Sequence, residues 1–345
     1  MRTHRYPRAV RGLAVLAFTT GLVFVPTAAY ANPSFYLGPI FGISTGPDGT
    51  LLVADAAQGV VNGTTGELIA ALPNISDVDP IAGTDELWAI TAGADVLVDS
   101  GQALHHIDGN GVVTEIANLF AFEEKFNPHP VAVDSNPFDV EDLGGGEALV
   151  ADAGGNTLLK VDKHGKIKFV AVLPDELVST ANWTSILGEE LPPMMEAQAV
   201  ATSIAIGPDG AYYVGELKGF PAPLGESRVW RVEPNARNAK CGQSPLCSVV
   251  IDGRTSIIDL AFGPDGRLYV TQIDDRSWLV VELVAFAGFD LELGGSVHAC
   301  DLATGACEQV VSGEPVLTAI TFRSDGLWGA TNSFLPGTDV TRLLP

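Results

Sequence analysis

Polar residues recur at fixed distances from a repeated turn, and their types suit the binding of a cation. The turns end at Gly49, Gly146, Gly210, Gly266 and Gly326. Six residues beyond each turn glycine comes a polar residue: Asp55, Asp152, Glu216, Gln272 and Asn332. Seven residues before each turn glycine come Gly42, Asp139, Ser203, Asp259 and Ala319. Carboxylates gathered in one place suit Ca²⁺, which takes about six to eight oxygen ligands.

The repeated turn itself predicts a β-hairpin. GPDG occurs at 46–49, 207–210 and 263–266. Proline in the second position, Asp in the third and Gly in the fourth are typical of a type I turn closed by a left-handed residue. Strand-forming residues precede the turn at 203–206 and follow it at 212–214. Each turn is therefore expected to join two of the strands that position the polar residues.

Six copies of this unit can be recognised in the sequence. Five carry the turn glycine, and a weaker copy that begins at Thr84 fills the gap between Gly49 and Gly146. A repeat of roughly 50 residues with about four short strands is typical of a β-propeller. We predict an all-β fold, a six-bladed β-propeller of four-stranded antiparallel blades. Because the last copy has no outer strand of its own, we expect Phe35-Tyr36-Leu37 to complete its sheet.

The first residues predict a secretory signal peptide at 1–31. Four arginines precede an apolar run from Gly12 to Val25, and Ala29-Tyr30-Ala31 forms a small-x-small site, so we predict cleavage after Ala31. A membrane anchor is the alternative, but it needs about 20 apolar residues, and this run is shorter. No later segment is long and apolar enough to span a membrane. Residues 32–345 are then a single secreted propeller domain.

The charge of the chain limits its partners. The formal net charge is −23, and loss of the four arginines at 1–31 makes the remaining chain more acidic still. Such a surface repels nucleic acid and anionic lipid, which are bound through clustered Lys and Arg. We therefore expect a small molecule, a cation or a protein as partner, and no nucleic acid. Solubility is the simpler explanation of the acidity.

The four cysteines predict two local disulfide bonds. Cys241 and Cys247 flank one short spacer, and Cys300 and Cys307 flank another that contains the turn-forming pair Thr304-Gly305. In an exported chain these spacings favour pairing within each couple. A zinc site is the weaker alternative, because no histidine pair stands at finger spacing.

Four sequence blocks resemble the ScyD/ScyE family of secreted proteins. The blocks are SNPFDV (135–140), LVADAGGNTLLKVD (149–162), TSIAIGPDGAYYVGELKGFPAPLGESRVWRV (202–232) and IIDLAFGPDGRLYV (257–270). That family is similar to NHL-type and gluconolactonase-like six-bladed propellers. The resemblance supports the predicted fold, and it supplies no catalytic residues that could be carried over.

The predicted propeller brings the polar residues together at one mouth of its channel. The start of an innermost strand and the end of the next strand lie on the same side of the propeller. The residues that precede and those that follow each turn glycine are therefore both expected on the side opposite the GPDG turns. The predicted metal ligands, for which Ca²⁺ is the candidate, are Asp55, Asp139, Asp152, Glu216 and Asp259. The predicted ligand-binding residues are Asn136, Trp183, Ser203, Phe220, Gln272 and Asn332. For Asp55 and Asp152, an Asx-turn onto their own backbone is the alternative.

Two functions are compatible with these residues. The first is a non-enzymatic binding or scaffold protein, because no nucleophile is paired with a base. The second is a metal-assisted hydrolase of lactones or esters, in which Asp139, Glu216 and Asp259 would hold a Ca²⁺ that polarises the carbonyl. His129, in the loop FNPHPVAVD, would then be the candidate base, although a histidine between prolines is more often a turn residue. We interpret the chain as a binding protein and keep the hydrolase as the alternative.

Overall fold

Six blades follow one another along the chain in the computed structural model, which describes residues 35–129 and 133–345. The predicted signal peptide and its cleavage site lie outside the described residues. Blade 1 contains β1 (Ile40–Thr45), β2 (Leu51–Asp55), β3 (Gly59–Asn62) and β4 (Leu68–Ala71). Blade 2 contains β5 (Ile75–Pro80), β6 (Leu87–Ala92), β7 (Gln102–Ile107) and β8 (Val113–Asn118). Helix α1 (Leu119–Phe126) follows blade 2.

The middle of the chain forms two blades and an intervening hairpin. Blade 3 contains β9 (Pro137–Gly144), β10 (Glu147–Asp152), β11 (Thr157–Asp162) and β12 (Ile167–Val172). The hairpin of β13 (Glu176–Ser179) and β14 (Met194–Ala197) encloses helix α2 (Ala181–Leu187). Blade 4 contains β15 (Ala201–Ile206), β16 (Tyr212–Glu216), β17 (Ser227–Val232) and β19 (Cys247–Arg254). The short β18 (Ala239–Lys240) leaves blade 4 and pairs in parallel with β12 at the edge of blade 3.

The last two blades complete the ring. Blade 5 contains β20 (Ile257–Phe262), β21 (Leu268–Gln272), β22 (Gly295–Cys300) and β23 (Cys307–Glu314), with helix α3 (Trp278–Ala287) between β21 and β22. Blade 6 contains β24 (Ala319–Arg323), β25 (Gly326–Thr331) and β26 (Asp339–Leu344). The structure thus confirms the all-β, six-bladed propeller. Among the described residues the sixth blade has three strands, and Phe35–Leu37 forms no strand.

The GPDG turns form the predicted hairpins. Gly49 donates its N–H to the Gly46 carbonyl at 2.9 Å and has a φ of 82°. The third residue closes the turn, since Asp48 Oδ1 accepts the Thr50 N–H at 2.9 Å. A positive φ favours glycine because it has no Cβ. These turns mark the side of the propeller that we call the turn face.

The hydrophobic core lies between neighbouring blades. One cluster joins Ile43 and Val53 of blade 1 to Ala319 and Ala330 of blade 6, and it closes the ring together with Tyr36. Thr318 Oγ1 also donates to the Ile40 carbonyl at 2.6 Å. Each fully buried aliphatic side chain contributes about 1.5–3 kcal/mol. Among the described residues, packing between blade 1 and blade 6 closes the ring, and residues 35–37 add no strand to it.

Both predicted disulfide bonds are confirmed. Cys241 is bonded to Cys247 with a Cα–Cα distance of 4.9 Å, and Cys300 to Cys307 with one of 4.0 Å. The first bond lies in the segment between β17 and β19, directly after β18. The second ties the facing ends of β22 and β23, as its turn-like spacer predicted. No helix within the described ranges has the length and hydropathy that a membrane crossing requires.

Candidate binding channel

The inner strands of the six blades place two rings of side chains around the central axis. Each ring is defined by equivalent positions in the pairing of the first and second strands. The upper ring contains Gly42, Asp77, Asp139, Ser203, Asp259 and Ala319. The lower ring, two residues further along each strand, contains Ser44, Asp79, Glu141, Ala205, Ala261 and Thr321. At about 3.3 Å per residue, the two rings lie about 7 Å apart.

The rings border a cavity of about 320 Å³ inside the channel. Five acidic side chains line it: Asp77, Asp79, Asp139, Glu141 and Asp259. Its remaining lining is apolar or carries hydroxyl groups, and no Lys, Arg or His of residues 35–129 or 133–345 contributes to it. The cavity therefore holds several acidic groups without a balancing cation from the described chain.

The cavity is closed opposite the turns by an apolar cap. Phe41 and Phe138, from the inner strands of blades 1 and 3, lie 5.4 Å apart between ring centroids. Above them pack Trp278 and Leu279 of α3. Phe138 is 4% exposed and Phe41 is partly exposed, so aromatic rings rather than polar side chains border the cavity at this end. The structure thus differs from the expectation of a polar mouth opposite the GPDG turns, because α3 and the neighbouring loops supply apolar side chains there.

The channel opens instead toward the turn face. Side-chain exposure rises along the inner strands in that direction: Ile258 of blade 5 is 1% exposed, whereas Ala261 and Phe262 are partly exposed. Ser44 and Thr45 of blade 1 and Thr321 of blade 6 follow the same trend. A ligand would enter past these residues and meet the lower ring first.

The upper-ring acids connect neighbouring blades. Asp77 Oδ2 accepts the Val140 N–H of blade 3 at 2.9 Å. Asp139 Oδ2 accepts the Ile204 N–H of blade 4 at 2.6 Å. Asp259 Oδ2 accepts the Ile320 N–H of blade 6 at 2.5 Å. Each carboxyl therefore satisfies a backbone donor of the next inner strand, which would otherwise be buried without a partner.

Two polar side chains of the lower ring have no hydrogen bond to the described chain. Asp79 Oδ2 accepts the Asp142 N–H at 2.8 Å and so resembles the upper-ring acids. For Glu141, the described residues provide no hydrogen bond or ion pair to the carboxyl group. The Ser44 hydroxyl is also buried without a hydrogen-bond partner in the described part of the chain. Glu141 and Ser44 are thus available to a ligand.

Burial and mutual repulsion favour the neutral forms of these acids. Burial, followed by repulsion from Asp259, raises the pKa of Asp139 to about 8. Burial is also the main cause that raises the pKa of Asp79 to about 8. For Glu141, burial and then the charge of Asp79 raise the pKa well above its usual value. The pKa values of Asp77 and Asp259 are raised in the same way, with burial as the largest cause.

The structure does not bring the five predicted metal ligands together. Asp139 and Asp259 face the channel, whereas Asp55, Asp152 and Glu216 end second strands and are bonded near those strand ends. Asp55 Oδ1 accepts the Ala57 N–H at 2.9 Å, and Asp152 Oδ1 accepts the Gly155 N–H at 3.1 Å. Both have the local turn geometry that was the alternative reading. Within the described ranges no three His, Cys, Asp or Glu side chains are placed to hold a metal ion.

Glu216 belongs to a separate buried ion-pair network. Lys218, which is 0% exposed, lies 2.9 Å from Glu216 Oε1 and 2.6 Å from Glu176 Oε2. Trp230 Nε1 donates to Glu216 Oε2 at 3.1 Å. Burial raises the pKa of Glu216 to about 7, against the lowering effect of Lys218. A carboxyl group with these partners is engaged outside the channel and does not line the cavity.

The predicted ligand-binding residues lie mainly in the cap and at strand ends. Trp183 and Phe220 pack edge to face at 4.7 Å within the apolar cap. Asn136 lies just before β9, where its N–H donates to Asp152 Oδ1 at 2.7 Å. Gln272 accepts the Thr255 N–H at 2.9 Å and donates to Asp275 at 2.6 Å. Ser203 occupies the upper ring, but its hydroxyl lies against Gly215 of its own blade.

Asn332 is displaced from the position that the spacing assigned to it. The turn of blade 6 is one residue shorter, because Arg323 pairs with Gly326 and Phe322 with Leu327. Thr331, rather than Asn332, is consequently equivalent to Asp55. Asn332 lies beyond the end of β25 with a φ of 55°.

His129, the candidate base of the hydrolase, is held outside the channel. It is 5% exposed, and its Nε2 lies 2.8 Å from Asp175 Oδ1. Neither residue lines the cavity. The structure therefore places it apart from Asp139 and Asp259.

Three channel acids were missed by the sequence reasoning, and two signals could have identified them. Counting seven residues back from Thr84, which replaces the turn glycine of blade 2, gives Asp77. Side chains two positions apart on a strand share a face, so the same count extended by two residues gives Asp79 and Glu141. The spacing predicts only one inner-strand position in each blade, and the lower ring occupies a second one.

The chain is thus a six-bladed β-propeller with an acidic central cavity. Solved structures of known proteins share this fold. A gluconolactonase from Xanthomonas campestris has 11% sequence identity, with 90% of this chain and 87% of that chain covered and a TM-score of 0.56. The PQQ-bound aldose sugar dehydrogenase of Streptomyces coelicolor has 14% identity, with 88% and 93% covered and a TM-score of 0.52.

A weaker similarity connects the chain to virginiamycin B lyase of Staphylococcus aureus. The identity is 15%, with 84% of this chain and 77% of that chain covered and a TM-score of 0.49. No protein-family profile and no curated protein sequence matches the chain. At these identities the structural similarities establish the fold alone.

Proposed function

We propose that this chain is an exported, non-enzymatic binding protein that takes a cationic small molecule into its central channel from the turn face. The observation that carries the proposal is the cavity of about 320 Å³, which is lined by five acidic side chains. A cavity of this size is within the range of small-molecule sites. A bound cation would favour the ionised acids, whose pKa values are raised in its absence. The four sequence blocks and the fold also support assignment to the ScyD/ScyE family.

Export is part of the proposal. The basic head and apolar run at 1–25 support it, together with the two disulfide bonds, because such bonds persist in oxidising compartments. No specific observation favours the hydrolase, since Glu216 and His129 lie apart from Asp139 and Asp259.

An internal cation tests the proposed function. Ala261 lines the cavity and is partly exposed, so Ala261→Lys would place an ammonium group among the acids. The melting temperature is measured at about pH 8 with ammonium, guanidinium and Ca²⁺ salts, and with acetate and sulfate salts of one common cation as controls. At least one cation should stabilise the native chain, and Ala261→Lys should be more stable than Ala261→Met and insensitive to that cation.

The opposite pattern would contradict the proposal. If no cation raised the melting temperature of the native chain, and Ala261→Lys were less stable than Ala261→Met, the channel would not be a cation-binding site. The Ala261→Met variant fills a similar volume without a charge, so it separates the effect of charge from that of packing.

A further inference from the structure

We infer that the channel ligand is an amine with one ammonium group and an apolar body, and that Glu141 binds the ammonium group. This inference rests on the proposed function, which requires only that the channel binds a cation. Three features carry it: the availability of the Glu141 carboxyl, the division of the lower ring into a polar and an apolar part, and the aromatic side chains at the opening.

The first feature is that Glu141 differs from the other channel acids. Asp77, Asp79, Asp139 and Asp259 each accept a backbone N–H from a neighbouring inner strand, at 2.5–2.9 Å. Glu141 accepts no such bond from the described residues. Its longer side chain also lies in the ring nearer the opening. An incoming ammonium group can therefore bind Glu141 without displacing a bond of the fold.

The second feature is the division of the lower ring. Blades 6, 1, 2 and 3 contribute polar side chains: Thr321, Ser44, Asp79 and Glu141. Blades 4 and 5 contribute Ala205 and Ala261, which leave space and offer only a methyl group. Ser44 lines the cavity, and its buried hydroxyl has no hydrogen-bond partner among the described residues. The cavity thus provides one region for a charge and another for an apolar group.

The third feature is the aromatic lining near the opening. Phe262 and Phe322 line the cavity on blades 5 and 6. Each is fixed by an edge-to-face contact with a tyrosine, Phe262 with Tyr213 at 5.1 Å and Phe322 with Tyr269 at 4.8 Å. Such rings bind apolar groups and attract ammonium groups through their faces. They favour an organic cation over a hydrated metal ion.

A bare metal ion suits this cavity less well. Ca²⁺ requires about six to eight oxygen ligands, whereas Glu141 is the channel acid left without a bond to the described chain. Each upper-ring Asp already gives one carboxyl oxygen to a backbone donor, which leaves fewer oxygens for a Ca²⁺ coordination shell. A monovalent ammonium group needs only one carboxylate and a few additional acceptors.

Calorimetric titration of the full exported chain tests the inference. The titrants are n-hexylamine, its neutral counterpart n-hexanol, and CaCl₂, at about pH 8 where the amine is charged. n-Hexylamine should bind at least about tenfold more tightly than n-hexanol. Glu141→Gln should weaken n-hexylamine binding at least about tenfold, and Glu141→Asp should retain most of it.

Two control variants make the result specific. Glu115 is exposed on β8, so Glu115→Gln removes one charge far from the channel and should leave binding unchanged. Ala261→Leu fills the apolar region and should weaken n-hexylamine binding. The melting temperature of each variant without ligand shows whether it is folded.

The outcomes separate this inference from the proposed function. If n-hexylamine bound Glu141→Gln as tightly as the native chain, or n-hexanol bound equally well, the assignment to Glu141 would be wrong while a cation-binding channel could stand. Binding of CaCl₂ without n-hexylamine would overturn the amine and likewise retain the channel. If no titrant bound, both proposals would fail.

Discussion

The upper and lower rings of the channel contain the same chemical groups but use them differently. In the upper ring, Asp77, Asp139 and Asp259 bridge neighbouring blades through backbone donors. In the lower ring, Glu141 has no partner in the described chain, and the alanines of blades 4 and 5 leave space beside it. Acidity alone therefore does not identify a binding residue. The hydrogen bonds that a carboxyl already accepts show whether it holds neighbouring strands together or is left for a ligand.

The largest effect is expected from an added methyl group in the upper ring. A Cβ at Gly42 would overlap both the carboxylate and the backbone of Asp77. Gly42→Ala should therefore lower the free energy of unfolding by about 3 kcal/mol, as measured by urea denaturation. Gly46→Ala, later in the same blade, is the control, because a Cβ there would meet its nearest atom at 3.3 Å. Equal stability of the two variants would show that the packing of Asp77 is unimportant.

A somewhat smaller effect is expected when an upper-ring acid is truncated. Asp139→Ala leaves the Ile204 N–H without its acceptor and should cost about 2 kcal/mol. Asp139→Asn keeps an oxygen in that position, and it replaces a carboxyl whose pKa burial raises to about 8, so it should cost less than about 1 kcal/mol. Both values come from urea denaturation near neutral pH. Equal losses in the two variants would mean that the hydrogen bond to the Ile204 N–H is not what the ring requires.

The acidic channel also predicts that stability falls as pH rises. Asp79 and Asp139 have pKa values of about 8 in the folded chain, mainly because they are buried. In the unfolded chain they lose their protons near pH 4, so the folded state binds more protons between about pH 4 and 8. In that window each group lowers the free energy of unfolding by up to about 1.4 kcal/mol per pH unit.

Denaturation across a pH series checks this dependence. The free energy of unfolding should decrease from about pH 5 to pH 8, and the slope should be smaller in Asp139→Asn. A stability that increases over this range, with no change of slope in the variant, would show that the channel acids are ionised in the folded state.

The smallest effect on stability is expected in the lower ring. Glu141→Gln breaks no hydrogen bond to the described chain, and burial and repulsion already favour the neutral carboxyl by raising its pKa, so the free energy of unfolding should change by less than about 0.5 kcal/mol near neutral pH. Urea denaturation of this variant beside Asp139→Ala measures the difference between the rings directly. A loss as large as that of Asp139→Ala would assign Glu141 to the fold.

The sequence predicted the ring of blades because the turn chemistry repeats. Gly49, Gly210 and Gly266 close hairpins in the structure as expected, and both disulfide bonds connect the predicted cysteines. Local signals of this kind survive in the sequence because each depends on only a few adjacent residues.

The position of the site could not be predicted from the same spacing. Asp139 and Asp259 were identified as channel residues, but the open end of the channel depends on tertiary packing that places α3 and Phe138 over one mouth. Likewise, the bonds that engage Asp55 and Asp152 depend on local loop geometry. A one-residue difference in the turn of blade 6 was enough to misplace Asn332.

A crystal structure of the chain with bound n-hexylamine would test the central claim most directly, because it locates the charged nitrogen relative to both rings. We expect an ammonium nitrogen within about 3 Å of a Glu141 carboxylate oxygen, an alkyl chain beside Ala205 and Ala261, and unchanged hydrogen bonds from the Ile204 and Ile320 N–H groups to Asp139 and Asp259. An amine bound in the apolar cap, or bound by the upper-ring acids after they release their backbone donors, would contradict it.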